Sequence, residues 1–315
     1  MKKILLFPGS DSIEIDSLRF VCGQIPEVIE ELEYAQNLLQ HAGVNVDLFA
    51  FTRNPKVASA KWFHELTLAT IPVHVGLYKV FKKHFGQPDV ILSCSLGDVS
   101  RNICIGATSY EESLLGMHDF AEVFTKMNSG LSIHATFSAG YQKQHLEALS
   151  KYDLAVSIYQ TPLHLLIGGS LENAQRWADT EVGLSNVKLK ALYPYPLHTI
   201  LMTECYERIQ ERITQTKIEP WTHIQVYSAV EKKYLSQPDQ LRAELKKNIV
   251  SAVHWNESLL ALQEDLKDVH FYNMGPTPSL TYFHKKTLGD ASPITDVFSE
   301  LKAIYANKVQ DGIVL

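Results

Sequence analysis

Ser95 is the residue of this sequence best placed to do covalent chemistry. It sits in Ser93-Cys94-Ser95-Leu96-Gly97, close to the Gly-x-Ser-x-Gly pattern of a nucleophile elbow, with Ser93 in place of the first glycine. Small residues two positions either side of a serine let the chain close a sharp turn. The hydroxyl then projects above the sheet, and the backbone N–H groups of the following helix face the same point. Such donors can hold the oxyanion of a tetrahedral intermediate. The pentapeptide alone recurs by chance, so its context decides. Val90-Ile91-Leu92 precedes it without polar alternation, as in a strand buried on both faces, and a helical stretch from 98 to about 106 follows. A plain strand-to-helix turn is the alternative reading.

A serine nucleophile needs a base. Of the 13 histidines, His198 stands out at the end of Tyr193-Pro194-Tyr195-Pro196-Leu197. That proline-rich junction can aim a side chain across a cleft; the bland alternative is a histidine at a helix N-terminus. Cys94 would point away from the elbow and reads as a small buried residue. The four cysteines form no C-x-x-C pair, so neither a zinc site nor a disulfide scaffold is expected.

The elements that must position these residues follow from periodicity. Residues 3–7 form an apolar run ended by Pro8-Gly9 and predict a buried strand; 25–42 predict a helix; 44–51 alternate and predict a strand. A long periodic helix is expected over 66–85, and another over 110–127. Strand, tight turn and helix in succession indicate an α/β sheet. The middle changes character: strands at 131–138, 154–158, 163–167 and 187–192 and a helix at 171–180 suggest a small α+β insert over 128–195. Long helices then return at 199–214, 237–250 and 255–266, with strand-like pieces at 224–228 and 269–272 between them. Lys+Arg total 29 against 35 Asp+Glu, a net charge of −6, which disfavours non-specific nucleic-acid binding. No apolar run is long enough to span a membrane, and the run after Lys3 is too short for a signal peptide. A cytoplasmic protein is the expectation.

With these residues in view, the chain resembles the malonyl-CoA:acyl-carrier-protein transacylases and the acyltransferase domains of polyketide synthases, over nearly its whole length. Leu6-Phe7-Pro8-Gly9 is similar to the family's opening L-F-P-G-Q-G. Val75-Gly76-Leu77-Tyr78-Lys79-Val80 resembles the helix before the nucleophile. Ser95-Leu96-Gly97-Asp98 stands where the family has S-L-G-E. Tyr159-Gln160-Thr161-Pro162 is similar to Y-N-S-P, Tyr195-Pro196-Leu197-His198 to the histidine motif, and Gly275-Pro276 to a late G-P. The order of the landmarks is more specific than any one of them. The resemblance implies an α/β fold. Its α/β-hydrolase-like large subdomain (1–127 and 196–315) would be interrupted by a ferredoxin-like small subdomain (128–195). It implies a Ser95–His198 dyad forming an acyl-serine, and oxyanion donors from the Leu96 and Ser10 backbone. A backbone carbonyl near His254, in Ala252-Val253-His254-Trp255, would orient the imidazole. Thr67, His118, Phe120, Gln160 and His164 would line the substrate cleft, although His164 could equally be an ordinary strand residue. No bound cofactor or metal is implied, since the substrate itself carries phosphopantetheine, on CoA or on an acyl carrier protein. A monomer is expected.

The departures shape the substrate expectation. Ser10 replaces the opening glutamine, which a backbone donor tolerates. Leu66-Thr67-Leu68-Ala69 replaces a T-Q-P-A motif. The family's arginine for the malonyl carboxylate lies about 25 residues after the nucleophile. That count lands on Phe120, and no Arg or Lys lies between Arg101 and Lys126. A buried carboxylate without a charge-assisted partner costs a few kcal/mol, so an uncharged acyl group is expected. Two other functions stay open on the sequence: an acyl-carrier-protein thioester hydrolase of the same fold, and an inactive carrier-binding module.

Overall fold

The computed structural model describes residues 1–9, 15–53, 63–127 and 130–310. The chain runs β1 (Lys2–Phe7), α1 (Ile15–Gln24), α2 (Pro26–His41), α3 (Leu48–Arg53), α4 (Phe63–Phe85), β2 (Val90–Ser93), α5 (Leu96–Cys104) and α6 (Tyr110–Phe124). It continues through β3 (Leu131–Phe137), α7 (Lys143–Ala148), β4 (Ala155–Thr161), β5 (His164–Gly169), α8 (Leu171–Trp177) and β6 (Val187–Tyr193). The last part holds α9 (Thr203–Gln215), β7 (Gln225–Ser228), β8 (Lys233–Leu235), α10 (Pro238–Val250), α11 (Trp255–Leu266), β9 (Val269–Asn273), α12 (Ser279–Leu288), β10 (Ile294–Asp296) and α13 (Val297–Gln310).

Six strands form the main sheet in the order β10-β9-β1-β2-β7-β8, parallel except for the β7–β8 hairpin. The side-chain period of two explains the layering. Leu5 and Phe7 face a core made with α1, α2, α3, α4 and α13, including Leu18, Leu32 and Leu301. Ile4 and Leu6 face the opposite core with Trp255, Leu259 and Leu262 of α11. Helices on both faces are why β1 and β2 read as unbroken apolar runs.

The second sheet is antiparallel, in the order β4-β5-β3-β6, with α7 and α8 packed on one face. This β-α-β-β-α-β unit is ferredoxin-like and has its own core of Ile133, Leu165, Ile167 and Trp177. A parallel bridge between Ile158 and Val253 ties it to the large body, through Tyr159 N–H to Val253 O and Val253 N–H to Ser157 O, both 2.9 Å. The fold class expected from the sequence is the one observed.

One expected element is different. Residues 44–51 do not form a strand; Leu48–Arg53 is a helix. Asp47 Oδ1 accepts from Ala50 N–H at 2.8 Å as a helix cap, and the Gln36 amide ties down Val46 O and Leu48 N. The alternation Val44-Asn45-Val46-Asp47 is thus a loop that buries two valines against the core, with no strand among the described residues paired to it. The three-residue strands β8 and β10 carry too few residues for any period to show.

Candidate active site

The register of β1 against β2 pairs Phe7 with Ser93, so both strands end at the same level of the sheet. The elbow emerges there, at the carboxyl edge where open α/β sheets hold their ligands. Ser95 has φ 58° and ψ −121°, a strained backbone for a residue with a side chain. Gly97 permits the turn: a Cβ there would lie 2.6 Å from Pro8 O and 2.8 Å from Phe7 O. Helix α5 therefore sits directly on the end of β1, with the Leu96 N–H in its first turn beside the nucleophile. Ser10, expected to give the second oxyanion donor, lies outside the described residues.

His198 comes from the other side of the chain. Its backbone is also left-handed, φ 58°, and its ring is buried. Nε2 lies 2.8 Å from Ser95 Oγ, joining residues 103 apart. Nδ1 donates to the backbone carbonyl of Asn248. That bond fixes the tautomer: with Nδ1 carrying the proton, Nε2 is an acceptor facing the serine hydroxyl. The orienting carbonyl expected near His254 is therefore supplied by Asn248. Asn248 lies in the last turn of α10, where carbonyls lose their intrahelical partners and one is available to the imidazole. The His254 carbonyl is instead occupied by Ser258 N–H at 3.0 Å and Ser258 Oγ at 2.7 Å, and its ring stacks on Tyr159.

Burial pushes the His198 imidazole down to about 4, partly offset by its bonds to Asn248. A general base works in its neutral form, so lowering the pKa extends activity toward acid. The rate of acylation is expected to stay within about twofold between pH 7.5 and 5.5, where an ordinary imidazole with pKa about 6.5 is largely protonated. A half-loss near pH 6.5 in single-turnover acylation would contradict this environment.

A buried polar cluster lies behind the dyad. Asn248 Nδ2 donates to Asp98 Oδ2 at 2.5 Å, and Ser93 Oγ donates to Asp98 Oδ1. Arg101 NH1 reaches Asp98 at 3.3 Å, and its NH2 reaches Glu244 at 2.5 Å. Arg101 is fully buried. Burial and the neighbouring Glu244 carboxylate push Asp98 up to about 7, against the pull of Arg101. Nothing local in the sequence pairs Arg101 with Glu244, 143 residues away.

Ser95 and His198 open onto a cleft of about 150 Å³ lined by α4, α5, α6, α9 and α10. Thr67 and Phe120 line it, and Thr67 Oγ1 is buried with no hydrogen-bond partner among the described residues. Three other expected lining residues lie elsewhere. His118 is turned about 200° around α6 from Phe120, and its Nδ1 meets His64 Nε2 at 2.7 Å. His164 bonds Thr161 at 2.7 Å and stacks on His134, facing α12. Gln160, buried on β4, borders His134 and not the cavity. Both sit on the inserted sheet, whose faces carry its own core and the contact with α12.

The cavity also holds a cation that local spacing hides. Arg212 of α9 lines it, with Nε 3.5 Å from Asp119 Oδ2 on α6. Glu112 lines it too. Arg101, by contrast, is held in the buried cluster. Among the described residues, no group of three His, Cys, Asp or Glu side chains could hold a metal ion, and no helix is long and apolar enough to cross a membrane.

The chain is 24% identical over 310 residues to the malonyl CoA-acyl carrier protein transacylase of Haemophilus influenzae, covering 94% of this chain and 95% of that one. A second transacylase of the same name, from Buchnera aphidicola, is 20% identical over 281 residues, so the chain is similar over most of its length to malonyl CoA-acyl carrier protein transacylases. No protein-family model matches it. The solved transacylase of Coxiella burnetii shares the fold, with a TM-score of 0.84 at 19% identity over 96% of each chain. So does a malonyl-transacylase solved in complex with a type II polyketide synthase acyl-carrier protein, with a TM-score of 0.84 at 16% identity over 98% of this chain and 100% of that one. In this chain, the elbow serine and the histidine after the small subdomain meet in hydrogen-bonding contact.

Proposed function

We propose that the protein is an acyltransferase that takes an uncharged acyl group from a thioester onto Ser95 and passes it to the phosphopantetheine thiol of an acyl carrier protein. The observation that carries this reading is the 2.8 Å contact between Ser95 Oγ and His198 Nε2 at the head of an apolar cavity. Ser95 Oγ attacks the thioester carbonyl and gives its proton to His198 Nε2. The Leu96 N–H faces the oxyanion. The C–S bond breaks, and the leaving thiolate takes the proton from His198. The carrier thiol then gives its proton to His198 and attacks the acyl-serine, and Ser95 Oγ leaves and recovers the proton. Phosphopantetheine enters as part of either substrate, with no group bound to the protein.

The choice of an uncharged acyl group rests on what surrounds Arg212. Its guanidinium already faces the Asp119 carboxylate, and Glu112 adds a second negative charge to the same wall. A malonyl carboxylate would enter a cavity whose lining charges sum to about −1, and would have to compete with Asp119 for the one cation. Freeing that cation tests the idea. Asp119→Asn is expected to raise acylation by malonyl-CoA relative to hexanoyl-CoA by about tenfold, the worth of one charge-assisted contact. No change in the ratio would remove Arg212 from the selectivity argument.

Transfer itself is tested by adding holo carrier protein and hexanoyl-CoA and weighing both proteins intact. The expected result is hexanoyl-carrier protein formed through acylated Ser95, faster than free hexanoate. Release of free acid with no carrier product would instead make the protein a thioester hydrolase.

A further inference from the structure

We infer that the cavity is an acyl channel that measures chain length, selecting chains of about six to eight carbons. This deepens, and rests on, the acyl-serine reading above. The first support is the spacing of the lining residues. Helix α5 contributes Leu96, Val99 and Asn102, three apart each time, and α9 contributes Ile209 and Ile213, continued by Thr216 just past its end. Each is a stripe along one helix face, about two turns or 10 Å long. Both stripes begin near the dyad: Leu96 follows the nucleophile, and Ile209 belongs to the apolar cluster against which Leu197, the residue before His198, packs. The space is therefore an elongated slot leading away from Ser95.

The second support is how the slot ends. Asn102, Thr108 and Ser113 are all buried there, and Ser113 Oγ donates to Thr108 Oγ1 at 2.8 Å. Asn102 Oδ1 accepts from Arg101 Nε at 3.0 Å and from Arg101 NH2 at 2.9 Å. Ser113 is thus held by Thr108, and Asn102 by Arg101 of the buried cluster, so the end is a fixed polar wall where an apolar chain stops. An extended chain advances about 1.3 Å per carbon with bonds of about 1.5 Å, so about eight carbons fill the slot. The volume gives a similar answer, since an apolar cavity of about 150 Å³ takes up benzene, a six-carbon guest.

Gly116 gives the handle for a test. It lines the slot on α6, and within 4 Å a Cβ there would meet only Arg212 Nε among the described residues, at 3.9 Å. Gly116→Leu therefore fills the slot without striking backbone.

The experiment measures single-turnover acylation of Ser95 by acetyl-, butyryl-, hexanoyl-, octanoyl-, decanoyl- and dodecanoyl-CoA. The efficiency is expected to rise about fourfold per added methylene, the worth of burying one. It should peak at hexanoyl to octanoyl and fall at least tenfold by dodecanoyl. In Gly116→Leu, with its melting temperature checked, the hexanoyl-to-butyryl ratio is expected to drop at least tenfold. A flat profile, a continued rise to dodecanoyl, or an unchanged ratio in the variant would overturn the channel while leaving the acyl-serine intact. Failure of every thioester to acylate Ser95 would overturn the acyl-serine reading itself.

Discussion

Ser95→Ala is expected to lose at least about a thousandfold in acyl-enzyme formation and in transfer to carrier protein, because the covalent route disappears with the oxygen. The fold should hardly notice. Alanine keeps the same strained φ of 58°, and only the hydrogen bond to His198 is lost, at a cost of about 1 kcal/mol. Ser95→Gly should be equally inactive yet more stable, since glycine adopts positive φ without a Cβ clash. Intact-protein mass after hexanoyl-CoA treatment, paired with thermal unfolding, checks both. An alanine variant that still transfers acyl groups at the wild-type rate would refute a serine nucleophile. One that simply unfolds would be exposed by its melting curve, and the glycine variant would then carry the test.

Arg101→Leu should have the largest effect on stability. The change leaves Asp98 and Glu244 buried together without their cation. Removing one partner of a buried ion pair costs about 3–5 kcal/mol, a fall of about 10 °C in melting temperature for a chain of this size. Replacing both partners, Arg101→Leu with Glu244→Leu, should be less damaging than Arg101→Leu alone, because one buried carboxylate, Asp98, is then left without the cation in place of two. The consequence also reaches the active site. Asp98 holds the Asn248 amide, and the Asn248 carbonyl holds His198. The single variant should therefore acylate more slowly even well below its melting temperature. Equal stability of the single and double variants would mean that the cluster is not energetically coupled.

The contrast between these sites shows what the sequence can reveal. The elbow is local: a strand buried on both faces, two small residues around a serine, and a helix start all fall within fifteen residues, and periodicity reads them. Helix α11 is local too, and its expected span of 255–266 matches the structure. His198 is legible because proline residues mark the junction before it. The cluster behind the dyad is not local. Arg101 looks like a surface residue on α5 until Glu244 arrives from α10, and Asn248 is one polar position among many in a helix. Arg212 was missed for the same reason: a search for a cation along α6 cannot see one that α9 lays across it. The segment 44–51 failed in the opposite direction, because alternation there reflects two valines turned into the core and not pairing in a sheet.

On the proposed reading the site takes an apolar chain, because the cation lining it among the described residues, Arg212, already faces Asp119. The most direct test is a competition. The protein is mixed with equal amounts of hexanoyl-CoA and malonyl-CoA, quenched within the first turnover, and the peptide bearing Ser95 is weighed. The account predicts a hexanoyl adduct on Ser95 in at least tenfold excess over malonyl. A malonyl adduct in excess would contradict it.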